Sequence, residues 1–166
     1  MLFSLVVLFS NAFALDLNVE KYTNKYTWVY TPDVVVCNDS PVTVAQVEKA
    51  VNEWRKKGIE IDKVVKQSNS DQCGKEYNSS EHGDIIVTGS KRFLKPEYNG
   101  YTTKYHPIYD DNKVLSAIVE INPNTIKNKP WYAHKLIIHE IGHAIGFSHS
   151  NFSKNDVMKP SLTHVH

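Results

Sequence analysis

The sequence predicts an α+β fold built as one domain. Short segments rich in β-branched and aromatic residues occupy much of the first two thirds of the chain, and such segments favour strands. One amphipathic helical segment lies early in the chain, and a second, more apolar one lies late. The length of 166 residues fits one domain once a short N-terminal segment is set aside.

The first strand and the first helix are predicted in the N-terminal third. Thr27–Val36 is rich in valine and aromatic residues, which favours a strand. Val42–Lys57 predicts a helix, because its apolar residues recur every three or four positions. Thr43 with Gln46 fits a capping box at its start, and Gly58 fits its end. The apolar stripe consists of Val44, Val47, Val51 and Trp54.

Further strands and a long helix are predicted along the rest of the chain. The continuous apolar run at Asp84–Thr88 suits a buried central strand. Polar residues at Ser68–Glu81 predict a loop. The apolar stretch Lys129–Gly146 predicts a buried helix, in which Pro130 is tolerated because it falls in the first turn. The remaining segments are predicted as strands at Ile59–Gln67, Tyr101–Tyr109 and Val114–Asn122, a turn at 110–112 and a loop at Asn122–Asn128.

The most informative segment reads H-E-x-x-H-x-x-G-x-x-H, with its histidines at His139, His143 and His149. The first two are four residues apart, so both imidazoles lie on one face of a helix and can reach one zinc ion. Gly146 suits the end of that helix, and the turn there can bring the third histidine to the metal. Glu140 is placed to contact a water molecule held by the ion. Three protein ligands leave a fourth position open, which is typical of catalytic zinc.

This motif resembles the zinc signature of the metzincin metalloproteases. Met158 follows in a segment similar to the methionine turn of that clan, and Ser150 and the Met-x-Pro ending are most similar to its matrixin branch. The resemblance implies a twisted, mostly parallel sheet with an antiparallel edge strand, an early helix and a zinc-binding active-site helix. It also implies that Ser116–Asn122 is the strand at the rim of the cleft, where Ala117 and Val119 would pair with an extended substrate.

The activity that the resemblance implies is peptide-bond hydrolysis by a secreted zinc-dependent endopeptidase. One catalytic zinc would acidify its water, Glu140 would act as general base, and Met158 would form an apolar floor beneath the imidazoles. An exopeptidase or a narrow processing protease is an alternative among enzymes. A catalytically silent domain that binds peptides or a partner protein is the alternative from another class, and the intact motif argues against it. A purely structural zinc is disfavoured by the ligand count.

The chain departs from the family's pattern after its methionine turn. Pro160 stands where astacin-like metzincins have a tyrosine, so a tyrosine ligand is not expected. Matrixins continue into a final helix, whereas this sequence ends six residues after Pro160, so we expect a shorter pocket wall. The acidic turn at 110–112 could bind calcium, as in many matrixins. A plain hairpin turn is the preferred interpretation, because Asp and Asn favour turns for backbone reasons.

The N-terminus predicts secretion. An apolar run followed by Ala12-Phe13-Ala14 fits a signal peptide over residues 1–14, cleaved after Ala14, which leaves residues 15–166 as the catalytic domain. An uncleaved membrane anchor is the alternative, and the short apolar run disfavours it. In a secreted chain, two cysteines predict one disulfide, Cys37–Cys73. A cysteine ligand or nucleophile is the weaker alternative, because neither cysteine lies near the histidine motif in sequence.

The near-neutral net charge limits the classes of molecule that are expected to bind this protein. A formal net charge of +1 gives no reason to expect nucleic acid or an anionic membrane surface. We therefore expect a protein or peptide substrate and a monomeric protein. The histidines outside the motif are expected to be surface residues rather than ligands. They are His82, His106, His134, His164 and His166.

Overall fold

The computed structural model describes residues 15–67, 73, 83–89, 95, 97–150 and 152–160. The predicted signal peptide, nearly all of the predicted loop at 68–81, and His82, His164 and His166 lie outside the described residues. Those expectations therefore stay predictions. Among the described residues, no helix is both long enough and apolar enough to cross a membrane.

In the part of the chain that the structure describes, five strands form the main sheet, in the order β3 (Val64–Lys66), β2 (Val34–Val36), β4 (Ile85–Thr88), β7 (Ser116–Ile121) and β5 (Gly100–Tyr105). The first four are parallel to one another, and β5 runs antiparallel to β7. This arrangement confirms the α+β class and the mostly parallel sheet with one antiparallel edge strand.

The first predicted strand is divided between two sheets. Only β2 joins the main sheet, whereas β1 (Thr27–Trp28) pairs in parallel with β6 (Lys113–Val114) in a separate two-stranded sheet. The division falls around Pro32, which has no backbone N–H to donate to a ladder. The N-terminal residues before β2 are thereby placed beside the end of the late helix, where they matter for the site.

The strand at the open edge beside the late helix is β5, so the prediction that Ala117 and Val119 lie on the rim strand is wrong. Those residues belong to β7, which pairs with β4 on one side and β5 on the other. All six residues of β7 are buried. Its backbone groups are therefore used within the sheet and cannot receive a peptide. The register places Thr102 of β5 opposite Val119, so the residues that can pair with a substrate lie one strand further out.

Among the described residues, three α-helices accompany the sheet, and the first begins where the capping box predicts. They are α1 (Val44–Arg55), α2 (Pro123–Asn128) and α3 (Ala133–Ala144). The side chain of Thr43 accepts from the Gln46 amide at 3.3 Å, and the Gln46 side chain accepts from the Thr43 amide at 2.8 Å. The prediction of a loop at 122–128 is wrong, because Asn122 caps α2 with a 3.0 Å bond from the Asn124 amide.

The late helix starts later than predicted. Residues 130–132 form a separate 3-10 turn, and α3 begins at Ala133. Both α1 and α3 pack on one face of the sheet, with Trp54 between them. The indole N–H of Trp54 donates to the Ile138 carbonyl at 3.0 Å, and its ring stacks on Phe147 at 5.2 Å between centroids. These contacts fix α3, and hence the motif that it carries, against the core.

The opposite face of the sheet has a smaller apolar cluster. Its buried members are Val35, Cys37, Ile86 and Ile118. Cys37 is bonded to Cys73, so the predicted disulfide is present, and Cys73 packs against this cluster.

Candidate zinc site

The last turn of α3 and the chain reversal after it bring the three motif histidines together. Gly146 has a φ of 113°, a left-handed conformation that glycine adopts without steric cost. A Cβ at that position would also lie 2.8 Å from the Tyr26 carbonyl oxygen. The reversal places one nitrogen from each of His139, His143 and His149 within 4.8 Å of the other two.

The hydrogen bonds of two histidines determine which ring nitrogen faces the centre of the cluster. His139 Nδ1 lies 2.7 Å from the Val157 carbonyl oxygen, and His143 Nδ1 lies 2.9 Å from the Phe147 carbonyl oxygen. Since a carbonyl oxygen can only accept, both Nδ1 atoms carry the proton. The two Nε2 atoms therefore present lone pairs, and they face each other at 3.1 Å.

This arrangement fits a metal ion. Two lone pairs at that distance repel unless a cation lies between them. Two nitrogens bound to tetrahedral zinc at about 2.05 Å lie about 3.3 Å apart, close to the observed separation. Burial lowers the pKa of His139 well below its ordinary value of 6.5 and lowers that of His143 to about 4. Both rings are thus held in the neutral form that binds metal.

Glu140 is buried beside this cluster. Its Oε2 accepts a hydrogen bond of 2.7 Å from the Thr102 hydroxyl, whereas its Oε1 has no hydrogen-bond partner among the described residues. Burial raises the pKa of Glu140 to about 7, against the opposing effects of the Thr102 bond and the Lys104 charge. A Cβ on Gly100 would lie 2.7 Å from Oε1, so the glycine leaves room for the carboxylate.

The cluster opens into a cleft of about 230 Å³ between α3 and the edge strand β5. Three of its lining residues belong to the histidine motif, whereas those on β5 and the segment before it were not predicted. Thr102 and Lys104 carry no sequence signal beyond being polar residues in a predicted strand, and the fold alone shows that they contact Glu140 and His143. The lining residues are Tyr98, Gly100, Tyr101, Thr102, Lys104, Glu140, His143 and His149.

The segment around Met158 packs under the motif. Met158 is fully buried, and a Cβ on Gly142 of α3 would lie 2.5 Å from its sulfur atom. The Met158 carbonyl accepts from the Ser150 amide at 2.9 Å, and the neighbouring Val157 carbonyl holds His139. The methionine is therefore closely packed against α3.

The carboxylate of Asp156 holds the turn around Met158 in place. This carboxylate accepts hydrogen bonds from the Met158 amide at 2.9 Å, the Phe152 amide at 3.2 Å, the Tyr22 hydroxyl at 2.9 Å and the Ser150 hydroxyl. Burial by itself would raise the pKa of Asp156, but these hydrogen bonds hold it below the ordinary value of 3.8. The turn is consequently tied both to the residue after His149 and to the N-terminal segment.

The other described histidines lie outside the cluster. His106 Nδ1 bonds the Lys113 carbonyl oxygen at 2.6 Å, and His134 interacts electrostatically with α1. The turn at 110–112 is held by a 2.9 Å bond from the Asn112 amide to the Asp110 carboxylate, as in a plain turn. Within the described residues, the motif histidines are the one group of three His, Cys, Asp or Glu side chains that converges in this way.

The fold and the site together define a metzincin-type zinc-binding domain. The profile of the matrixin family matches residues 21–166. The chain therefore belongs to the matrixin family, whose members are zinc-dependent metalloproteases. A search of curated protein sequences finds no significant match.

Proposed function

We propose that this protein is a secreted zinc-dependent endopeptidase. In this proposal residues 1–14 are removed after Ala14, and residues 15–166 form the catalytic domain. The observation that carries the proposal is the convergence of three histidines with a buried carboxylate in one cleft. The Cys37–Cys73 disulfide supports secretion, because such bonds persist in oxidising compartments.

The three histidines would hold one zinc ion through the nitrogens that face the centre of the cluster. Bound there, zinc supplies a Lewis acid that acidifies water and polarises the scissile carbonyl. The hydrogen bonds from Nδ1 of His139 and His143 to carbonyl oxygens orient the rings and fix their tautomers, as outer partners of metal ligands do. His149 is exposed and lies at the solvent side of the cluster.

Glu140 would act as the general base and later as the general acid. A carboxylate with a pKa of about 7 can accept a proton from water and return it to the departing amine near neutral pH. Thr102 holds Oε2, so the remaining oxygen, Oε1, is the one that would exchange the proton. Met158 would support the imidazoles from below without binding the ion.

The substrate would add to β5 as a further strand. The outer edge of β5 borders the cleft, and an extended peptide can form main-chain hydrogen bonds with such an edge. Recognition of this kind uses the middle of a chain rather than its terminus, which supports an endopeptidase over an exopeptidase.

The test is the cleavage of casein, an unstructured protein, by the purified protein with and without a zinc chelator, beside Glu140→Ala. We expect cleavage that the chelator stops, and a loss of at least about a hundredfold in Glu140→Ala while zinc remains bound. A wild-type protein that binds zinc and cleaves no substrate would contradict the proposal and favour a silent peptide-binding domain.

A further inference from the structure

Lys104 places a cation in the wall of the cleft. Its ammonium group donates to the His143 carbonyl at 3.3 Å and lies 5.1 Å from the centroid of the Tyr26 ring. The side chain is half-buried, and it lines the cleft together with Glu140. The lysine is therefore positioned by the protein rather than extended into solvent.

Among the described residues, no carboxylate forms an ion pair with the Lys104 ammonium group. Within the same part of the chain, Glu140 is the one carboxylate with which Lys104 interacts electrostatically. Glu140 is already held by Thr102 and is needed for proton transfer under the proposed function. The other residues lining the cleft are glycine, tyrosine, threonine and histidine. An anion from outside is thus the natural partner of Lys104.

We propose that Lys104 is a specificity-determining residue that selects peptides with an acidic side chain close to the scissile bond. This inference rests on the proposed function of the same cleft. Thr102 and Lys104 lie two residues apart on β5, and both contact α3, so they share one face of the strand. Thr102 lies beside Glu140, where bond cleavage would occur. A peptide paired with β5 therefore brings to Lys104 a side chain about two residues from that bond.

Binding to the zinc-free protein tests this inference without relying on catalysis. The probes are blocked, fluorescently labelled peptides in which a single Glu, or Gln as its match, is placed in turn at each position. Blocked ends make the side chain the one carboxylate present. In fluorescence anisotropy we expect the best Glu peptide to bind about three- to tenfold more tightly than its Gln partner, an effect that weakens in high salt.

Variants assign the preference to Lys104. Lys104→Met should abolish it, Lys104→Arg should retain it, and Lys104→Glu should reverse it in favour of a Lys peptide. Lys57→Met removes an exposed lysine elsewhere and is the matched control, which should keep the wild-type preference. Circular dichroism would check that each variant is folded.

The outcomes separate this inference from the proposed function. Equal affinity for Glu and Gln peptides at every position, no binding of any acidic peptide, or a preference that survives in Lys104→Met would overturn the inference. If acidic peptides bind preferentially through Lys104 but the zinc-loaded protein cleaves none of them, the endopeptidase proposal fails and the inference stands. If cleavage also occurs, its rate should follow the same order of peptides.

Discussion

The hydroxyl of Thr102 on the edge strand β5 donates a 2.7 Å hydrogen bond to Oε2 of Glu140 on α3. The same hydroxyl oxygen lies 3.1 Å from the Glu140 carbonyl oxygen. Because a hydroxyl has one proton, it can serve one of these acceptors at a time, and the shorter contact is to the carboxylate. The orientation of the proposed base thus depends on the strand that would also receive the substrate.

Thr102→Val should lower kcat by about ten- to a hundredfold with little change in KM. A hydrogen bond to a charged group contributes about 1.5–3 kcal/mol, and valine preserves the shape of threonine without the hydroxyl. Steady-state kinetics on a casein-derived peptide would measure the effect, with zinc content determined in the same samples. Thr102→Ser keeps the hydroxyl and is the control. An unchanged kcat in Thr102→Val would show that the bond does not position the base.

His149→Ala should lose bound zinc while the protein stays folded. The side chain of His149 is exposed, whereas His139 is fully buried and its removal would also disturb the core. Atomic absorption after dialysis against dilute zinc should give about one ion per wild-type chain and much less in the variant. His106→Ala is the matched control, because His106 lies outside the cluster and should not affect zinc content. Full zinc occupancy in His149→Ala would exclude it as a ligand.

Gly142→Ala should destabilise the protein by about 1–3 kcal/mol. The added Cβ would lie 2.5 Å from the Met158 sulfur and 2.7 Å from Cζ2 of Trp54, so the packing must shift. Urea unfolding would measure the loss. Met158→Ala makes room on one side of Gly142. Gly142→Ala should therefore destabilise the Met158→Ala protein less than it destabilises the wild type. A double-mutant cycle would measure this difference. A Gly142→Ala protein as stable as the wild type would contradict the close packing described here.

Protonation of Asp156 should lower the free energy of unfolding at acid pH. Its folded pKa lies below the ordinary value of 3.8. Its stabilisation is therefore fully present above the unfolded pKa and is lost as the pH falls through the folded pKa. Asp156→Asn should lower the free energy of unfolding by about 1–3 kcal/mol near neutral pH. That difference should shrink below about pH 4. Urea unfolding across pH tests this, and a difference that stays constant down to acid pH would contradict it.

The local signals in the sequence were sufficient for the helices α1 and α3 and for most strands. The capping box at Thr43 and Gln46 specifies the start of α1, because its two hydrogen bonds depend only on residues close in sequence. The helix at 123–128 escaped prediction because it is short and has no apolar periodicity. Its start is nevertheless encoded by Asn122 as cap and Pro123 at the first position.

Strand order was harder to predict because it depends on contacts between segments distant in sequence. β7 buries Ser116 and Glu120 together with its apolar residues, so its alternating sequence resembled a half-exposed strand. The sequence of β5 is polar and contains Lys104, a pattern that edge strands commonly have. This pattern was the one signal that could have identified β5 as the edge strand.

The candidate site likewise has residues that local sequence predicts and residues that only the folded structure brings together. The candidate metal ligands occupy one short motif, whereas the hydrogen-bond partner of Glu140 is Thr102, on another element. Helical spacing indicates that His139 and His143 can reach one ion. It carries no information on which side chain holds the carboxylate between them, because that contact exists only once β5 packs beside α3.

The most direct test of the account is a zinc titration of the metal-free protein, with casein hydrolysis followed at each addition. We expect activity to be absent without zinc and to rise to a plateau at about one ion per chain. Glu140→Ala should bind the same amount of zinc and remain inactive. Full hydrolysis without zinc, or hydrolysis by Glu140→Ala at the wild-type rate, would contradict the claim that this histidine cluster and Glu140 form the catalytic centre.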